Sequence, residues 1–471
     1  MIYTLGINRM FESDSFKTGS LSHCIELIKS HDIIGLDTET EGFFNFVNKI
    51  VCLQLSFKSD KGSDQYFIEV RGTDFLIYLK PYLEDKIILG QNLKFDYKFL
   101  KFHGIELNRM IDTFLAECIL TCGINKKEDT KNSNALGLGL DAIAKRYLGV
   151  ELDKSVRNQF IRLRGKPFTD RQIIYGTEDV AYLHDIYTKQ LERLQQLDLT
   201  DVFELECKVL KVLAEVEYAG MILNPNKWME LYKKSENESK NIQVELEDFL
   251  LNEPLLKNSK FIPNFVQSDL FSAPKKVNIN WDSPKQTLEL FQTLGFNIES
   301  TESKHLIKYQ NKHPFVKKYL DYKETEKLST TYGKEFLKHI NPNTGRIHTN
   351  FWQVLSTHRI SSSEPNLQQI PAEKEYLACF EAPKGFKIVG CDFSGQELRI
   401  ITQLTKDPLW VSVFNNNGDI HSEIASAVFN IPISEVKDKK EFVYVGNIKV
   451  FLRGKSPRDI AKTINFMLAL N

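Results

Sequence analysis

An α/β first part followed by an α+β second part is the fold class that this 471-residue sequence predicts. Three observations predict it. Short apolar runs bounded by turns, DIIGLDTE, NKIVCLQLSF and KIILGQN, alternate with helix-like stretches as far as about residue 199. From 200 to 250 such runs vanish and the reading is nearly all helical. Residues 341–400 then mix strand-like runs with turns, before helices return. A chain of this length divides into more than one core.

Taken in order, the first two strand-like runs flank the turn-prone EGFFNF, and LGLDAIAKRYLG and EDVAYLHDIYTKQLERLQQL supply helices to complete the pattern. Residues 252–283 hold prolines or their neighbours in NEPLL, IPNF, SAPKK and DSPKQ, which predicts a loop-rich insertion in a helical region. Helices resume through FVKKYLDYKETEKLSTTYGKEFL. FKIVGC then reads as a buried strand that ends in Asp392. The last stretch, RDIAKTINFMLALN, has good helix formers and no Gly or Pro. There Arg458, Lys462 and Phe466 fall four apart in one row, spanning roughly 12 Å. Two cations and a ring in a line suit a polyphosphate attached to a base.

Composition excludes little but bounds the setting. Hydrophobic residues are 42% and charged residues 26%, ordinary for a globular protein, and the formal net charge is −1. That charge does not announce a nucleic-acid binder, yet an acidic metal site and a basic groove cancel in such a sum. Seven cysteines are scattered without a Cys-x-x-Cys pair, which fits a reducing compartment; Cys118 and Cys122 read as core thiols on one helical face. The start, MIYTLGINRMFESDS, lacks the basic and apolar segments of a signal peptide, and no apolar run nears the ~20 residues that span a bilayer. These features predict a soluble, cytoplasmic protein with no membrane partner.

Candidate chemistry begins in LDTET. Asp37 and Glu39 sit two apart on an apparent strand, so both side chains leave one face. Buried paired acids are costly unless a cation neutralises them. Asp96 in NLKFDYKFL and Asp179 in YGTEDVAYL recur at similar element ends, with Tyr175 one helical turn before Asp179. Hard divalent cations want oxygen ligands, and two of them ~4 Å apart can hold both oxygens of an in-line phosphoryl displacement. Four acids can supply that cluster and Tyr175 can orient the attacking water.

DTET, NLKFD and YGTED resemble, in order and type, the three motifs of proofreading 3′–5′ exonucleases that use four acids and a tyrosine. The resemblance covers roughly residues 20–195 and implies a ribonuclease-H-like domain over 1–199. By it Asp37, Glu39, Asp96 and Asp179 are ligands of two Mg²⁺ ions (Mn²⁺ being possible), and Tyr175 assists the water. Asn92 and Phe95 look like positioning or packing residues of the middle motif, and Asp112 sits where the family has another Asp-Thr pair.

From about residue 205 the chain resembles DNA polymerases of family A. DFSGQELR is similar to their motif A, which implies a metal-binding role for Asp392 and a sugar-contacting role for Glu397. The closing helix resembles motif B, which implies that Arg458 and Lys462 hold the triphosphate of a dNTP and that Phe466 stacks beside its base. TGRIHTNFWQVLSTHRISSSEPNLQQIP looks like the segment facing the primer–template minor groove. Arg359, Asn366 and Gln369 can reach the acceptors shared by all base pairs there. YLDYKETEKLSTTYG looks like the end of the thumb, with Lys327, Ser329 and Thr330 placed for phosphates. The implied architecture is a right-hand polymerase domain over 200–471, with a helical thumb about 205–340, part of a palm about 341–400 and the start of the fingers about 401–471. The pattern departs from the family at Gly395-Gln396, at His358 where a Gly is usual, and at Met467 and Leu470.

Nucleotidyl transfer on two metals needs carboxylates from separate elements. The family's second palm acid belongs to a His-Asp hairpin after motif B, and no such hairpin follows here. His184-Asp185 matches it only superficially, within the exonuclease part. The sequence therefore predicts the N-terminal portion of a replicative, proofreading polymerase that works with a C-terminal polymerase portion. The absence of a 5′-nuclease part resembles phage or mobile-element replicases. Two other readings stand beside it: a self-sufficient 3′–5′ exonuclease with a DNA-holding arm, and a DNA-binding scaffold with decayed sites.

Overall fold

The computed structural model describes all residues except 8–15, 61, 123–136, 162, 164, 258, 263–276, 311, 440, 447, 453, 454 and 471, and only the backbone of 448–451, 466 and 468–470. It forms two compact units, Met1–Phe386 and Lys387–Asn471.

The first unit opens with β1 (Ile2–Leu5), β2 (Phe16–Thr18), α1 (Leu21–Ser30), β3 (Ile33–Thr40), β4 (Ile50–Ser59), β5 (Gly62–Glu69) and α2 (Phe75–Leu83). Then follow β6 (Ile87–Gly90), α3 (Lys94–Phe102), β7 (Arg109–Asp112), α4 (Thr113–Leu120), α5 (Leu140–Leu148), α6 (Arg157–Ile161), α7 (Asp170–Ala181) and α8 (Leu183–Gln196). The strands make one mixed sheet in the order β2-β1-β5-β4-β3-β6-β7. The runs DIIGLDTE, NKIVCLQLSF and KIILGQN form its interior strands β3, β4 and β6, which lie side by side, as the predicted α/β pattern requires. β4 is buried at eight successive positions because helices cover both of its faces, so that even Gln54 and Ser56 lie out of solvent. Opposite-facing residues of β3 divide the labour: Ile34 and Leu36 enter one core, while Gly35, Asp37 and Glu39 face α7 and α8.

The same unit continues with α9 (Thr200–Ala219), β8 (Met221–Leu223), α10 (Pro225–Leu251), α11 (Pro284–Thr293), α12 (Ser303–Leu306) and α13 (Pro314–Thr330). Asn224 caps α10 by accepting the N–H groups of Asn226 and Lys227, and Pro225 occupies the first turn, where no N–H is needed. α10 and α13 pack along one another, with Leu246, Leu250, Phe291, Phe315 and Tyr319 in their shared core. Of the predicted insertion, 258 and 263–276 lie outside the described residues. Residues 341–386 contribute β9 (Arg346–Ile347), β10 (Asn350–Trp352), β11 (Ser361–Ser363), α14 (Lys374–Leu377) and β12 (Phe380–Glu381). β12, β8 and β9 form a small sheet, and β10 pairs with β11. His358, where the resembling family has Gly, takes the left-handed φ of 54° that glycine adopts freely.

The second unit contains α15 (Gln396–Thr405), α16 (Pro408–Asn415), α17 (Ile420–Phe429), β13 (Phe442–Val445), β14 (Ile448–Phe451) and α18 (Pro457–Leu470). Two expectations fail. FKIVGC forms no strand: Ile388, Val389 and Phe393 are 56%, 80% and 78% exposed. A strand exists only where a neighbour pairs its N–H and C=O groups, and among the described residues no strand lies beside this one. Cys118 is buried in α4, but Cys122 falls past the helix end with φ 52° and is exposed, so the two thiols do not share a core face.

Candidate active site

Asp37 and Glu39 leave β3 next to a register shift between Glu39 and Thr40, opposite Gln54 and Cys52 of β4. α7 crosses that face. Its approach depends on Gly176, where a Cβ would stand 2.8 Å from Gln54 Nε2 and 2.9 Å from Phe67. The glycine lets Tyr175 and Asp179, one turn apart, reach the acids. Carboxylate oxygens of Asp37, Glu39 and Asp179 all lie within 4.8 Å of one another, and among the described residues they are the only such group of three. They line a cavity of about 520 Å³ together with Tyr175, Asp96 and Lys154. Asp96 stands apart from the trio. Its Oδ1 accepts the Thr38 N–H at 3.0 Å and the Thr38 hydroxyl at 2.5 Å, which ties the start of α3 to β3.

Crowding sets the electrostatics. Burial, then Asp96, Asp179 and Glu39, push the Asp37 carboxyl well above its ordinary range. Burial and Asp179 raise Glu39 to about 8. Burial raises Asp96 to about 7 against the two hydrogen bonds from Thr38. Burial and the same acids hold the Tyr175 phenol protonated, so it is a hydrogen-bond donor. Oxygen-only donors that repel one another in a half-buried cleft fit a hard divalent cation.

A stability prediction follows with a definite sign. Below about pH 4 these carboxyls are protonated in both folded and unfolded chains and contribute nothing. As pH rises toward 7 and 8, the unfolded chain ionises first and the folded state loses ground. The melting temperature in EDTA is therefore expected to fall between about pH 5 and about pH 8.5, and millimolar Mg²⁺ to restore it most at the alkaline end. A melting temperature in EDTA that is flat or rises over that range contradicts the assignment.

Sequence reasoning missed several residues at this cavity. Lys154 Nζ bonds Asp179 Oδ1 at 2.8 Å, and Arg157 lies within electrostatic reach of Glu39. Trp352 of β10 lines the same cavity, its ring 5.3 Å from that of Phe114. Asp112, left open by the sequence, is buried and accepts the N–H groups of Asn92, Leu93 and Phe114 at 2.8–2.9 Å. It thereby fixes the turn at Asn92, whose φ is 60°, from which α3 carries Phe95 and Asp96 into the cleft.

The remaining candidates fall in both units. Lys327 and Thr330 are exposed near the end of α13, while Ser329 is half-buried; both hydroxyls donate to the carbonyl of Glu326. Arg359 and Gln369 are exposed, the Gln369 carbonyl accepts from the Tyr332 hydroxyl, and Asn366 Oδ1 caps the N–H of Gln368. In the second unit Asp392 and Glu397 are exposed, Asp392 in coil and Glu397 in the first turn of α15. Lys462 is exposed on α18 one turn beyond Arg458, and the Phe466 side chain lies outside the described residues. Arg458 Nε donates to Asp419 Oδ2 at 2.5 Å, which the sequence did not foresee. Against the cost of burial, that bond and one from Ser422 hold Asp419 at about 2.

A mixed-sheet α/β domain with carboxylates converging at its mouth defines first a class of site, one suited to divalent cations. Comparison with known proteins relates both parts of the chain to families. Residues 16–195 match the family model for 3′–5′ exonuclease and residues 264–469 that for DNA polymerase family A. The two matches lie in order along the chain, a 3′–5′ exonuclease region ahead of a region that matches DNA polymerase family A. It is 28% identical to DNA polymerase I of Borreliella burgdorferi over 475 residues, which covers 95% of this chain and 46% of that protein. It is 26% identical to DNA polymerase I of Aquifex aeolicus over 462 residues, covering 95% of this chain and 70% of that one. The chain thus spans about half the length of the Borreliella protein. The POL domain of Pol1 from M. smegmatis, solved in complex with DNA primer-template and dNTP, shares the fold with a TM-score of 0.69 at 22% identity, over 96% of this chain and 70% of that one. No helix among the described residues is long and apolar enough to cross a membrane.

Proposed function

We propose that this chain removes nucleotides from DNA 3′ ends as the proofreading part of a replicative DNA polymerase that acts in the cytoplasm. The observation that carries the reading is the convergence of Asp37, Glu39 and Asp179 within 4.8 Å beside Asp96 and Tyr175. These four acids would hold Mg²⁺, or Mn²⁺, which when bound supplies an activated water and neutralises the charge that develops on phosphate. The chain's own groups do the rest. Tyr175, kept protonated, donates to and orients the attacking oxygen. Thr38 fixes the Asp96 carboxylate through two hydrogen bonds, and Asp112 holds the turn that aims α3.

For synthesis we assign Asp392 as a metal ligand, Glu397 to the sugar, Arg458, Lys462 and Phe466 to the dNTP, and Lys327, Ser329, Thr330, Arg359, Asn366 and Gln369 to primer–template DNA. Synthesis requires a further polymerase portion. What supports this is the exposed apolar segment with Ile388, Val389 and Phe393, a patch of the kind a partner covers. The test is a labelled primer–template in Mg²⁺, with and without dNTPs. The chain alone shortens the primer, and lengthening appears only when the complementing portion is added. Extension by the 471 residues alone removes the need for a partner, and binding of DNA without shortening favours the scaffold reading.

A further inference from the structure

The loop between α5 and α6 brings cations to a site otherwise made of acids. Asp153 accepts the Ser155 N–H at 2.9 Å, and Arg171 of α7 donates to the Asp153 carboxylate at 2.6 Å and to Ser155 Oγ at 2.8 Å. These bonds staple the loop to α7. Arg171, Tyr175 and Asp179 are spaced four apart, so they form one row along the helix. Lys154, between the stapled residues, lies along that row: its Nζ is 5.6 Å from the centre of the Tyr175 ring and 2.8 Å from Asp179 Oδ1. Its side chain is 32% exposed, so it opens on the cavity rather than being sealed under it. Arg157 and Asn158 line the same wall.

Charge counting gives these cations a task. Four carboxylates cancel two divalent cations, which leaves no net attraction for a phosphodiester whose negative charge grows toward the transition state. Lys154 and Arg157 make the balance positive by two. We propose, building on the exonuclease reading, that Lys154 is a substrate-binding catalytic residue. Its ammonium exchanges Asp179 for a non-bridging oxygen of the scissile phosphate when a DNA 3′ end enters, and Arg157 assists from the same wall. The proton stays on Lys154 throughout, since its task is charge and not acid–base transfer.

The opposing view is that Lys154 merely neutralises Asp179. The two views differ in measurable ways for Lys154→Met in the full chain. If the lysine grips phosphate, kcat at saturating Mg²⁺ falls about 10²- to 10³-fold, the loss seen when one charge-stabilising donor is removed. The dissociation constant for a single-stranded oligonucleotide in Ca²⁺ rises several-fold, and Lys154→Arg recovers most of both losses. If it only neutralises Asp179, Lys154→Met lowers the Mg²⁺ concentration needed for half-activity, leaves saturated kcat within about twofold and leaves oligonucleotide binding unchanged. That pattern overturns the proposal. Should the wild-type chain release no 3′ nucleotides, the exonuclease reading is what fails. The oligonucleotide dissociation constant in Ca²⁺ then decides alone, and an unchanged value in Lys154→Met rejects the role.

Discussion

Replacing Asp37 and Glu39 together by alanine is expected to lower Mg²⁺-dependent release of 3′ nucleotides from single-stranded DNA by at least about a thousandfold, while raising the melting temperature of the EDTA-treated protein at about pH 8. The two effects share a cause. Both carboxylates emerge from one face of β3 into a cleft where Asp179 and Asp96 already stand, and each is pushed up by burial and by its acidic neighbours. The arrangement is unfavourable for an empty folded chain and useful only to a bound cation, so its removal sacrifices chemistry and relieves repulsion. Neither side chain fills the core; both line the open cavity, so truncation leaves little new void. Release of a labelled 3′ nucleotide and a thermal melt in EDTA read the two arms. Degradation that persists within about tenfold of the wild type would show that other groups perform the reaction, and a fall in melting temperature would show that the acids support the fold.

What the sequence made legible was local. A period of two put Asp37 and Glu39 on one face of a strand, and a step of four put Tyr175 and Asp179 on one face of a helix, because those spacings are properties of the element itself. Lys154 reached the site by a different route: a loop pinned by Asp153, Ser155 and Arg171, whose course depends on contacts 16 and 18 residues away. No period announces such a placement. Trp352 is further removed still, brought to the cavity from β10 more than 300 residues after Asp37. The error at FKIVGC has the same origin. An apolar run states that a segment can be buried, but only a pairing partner makes it a strand, and that information is not in the run. Asp96 shows a finer limit. Its spacing in NLKFD identified it, whereas its engagement with Thr38, in the middle of DTET, required the register between β3 and α3.

Glu217→Ala should destabilise the first unit by about 3–5 kcal/mol, the cost of leaving a buried charge partner uncompensated. Glu217 sits near the end of α9 with its side chain 1% exposed. One carboxylate oxygen takes Lys94 Nζ at 2.5 Å and the Phe351 N–H at 2.6 Å, and the other takes Lys98 Nζ at 2.5 Å. Lys94 also donates to the Phe351 carbonyl. One side chain therefore clamps α3, α9 and β10, and α3 is the helix that carries Asp96. Burial lowers the Lys94 pKa even with Glu217 present, so without the carboxylate the ammonium loses its main compensation. The melting transition is expected to drop by on the order of 5–10 °C, and exonuclease kcat to fall as α3 loosens. Replacing Lys94, Lys98 and Glu217 together by Met, Met and Leu tests the cause. Because a well-packed apolar group can substitute for a buried ion cluster at little cost, the triple variant should regain most of the stability that Glu217→Ala loses. If Glu217→Ala melts within about 1 °C of the wild type, the carboxylate is not what couples the exonuclease helices to β10; if the triple variant melts no higher than Glu217→Ala, the loss comes from packing and the Phe351 hydrogen bond, not from unpaired ammonium groups.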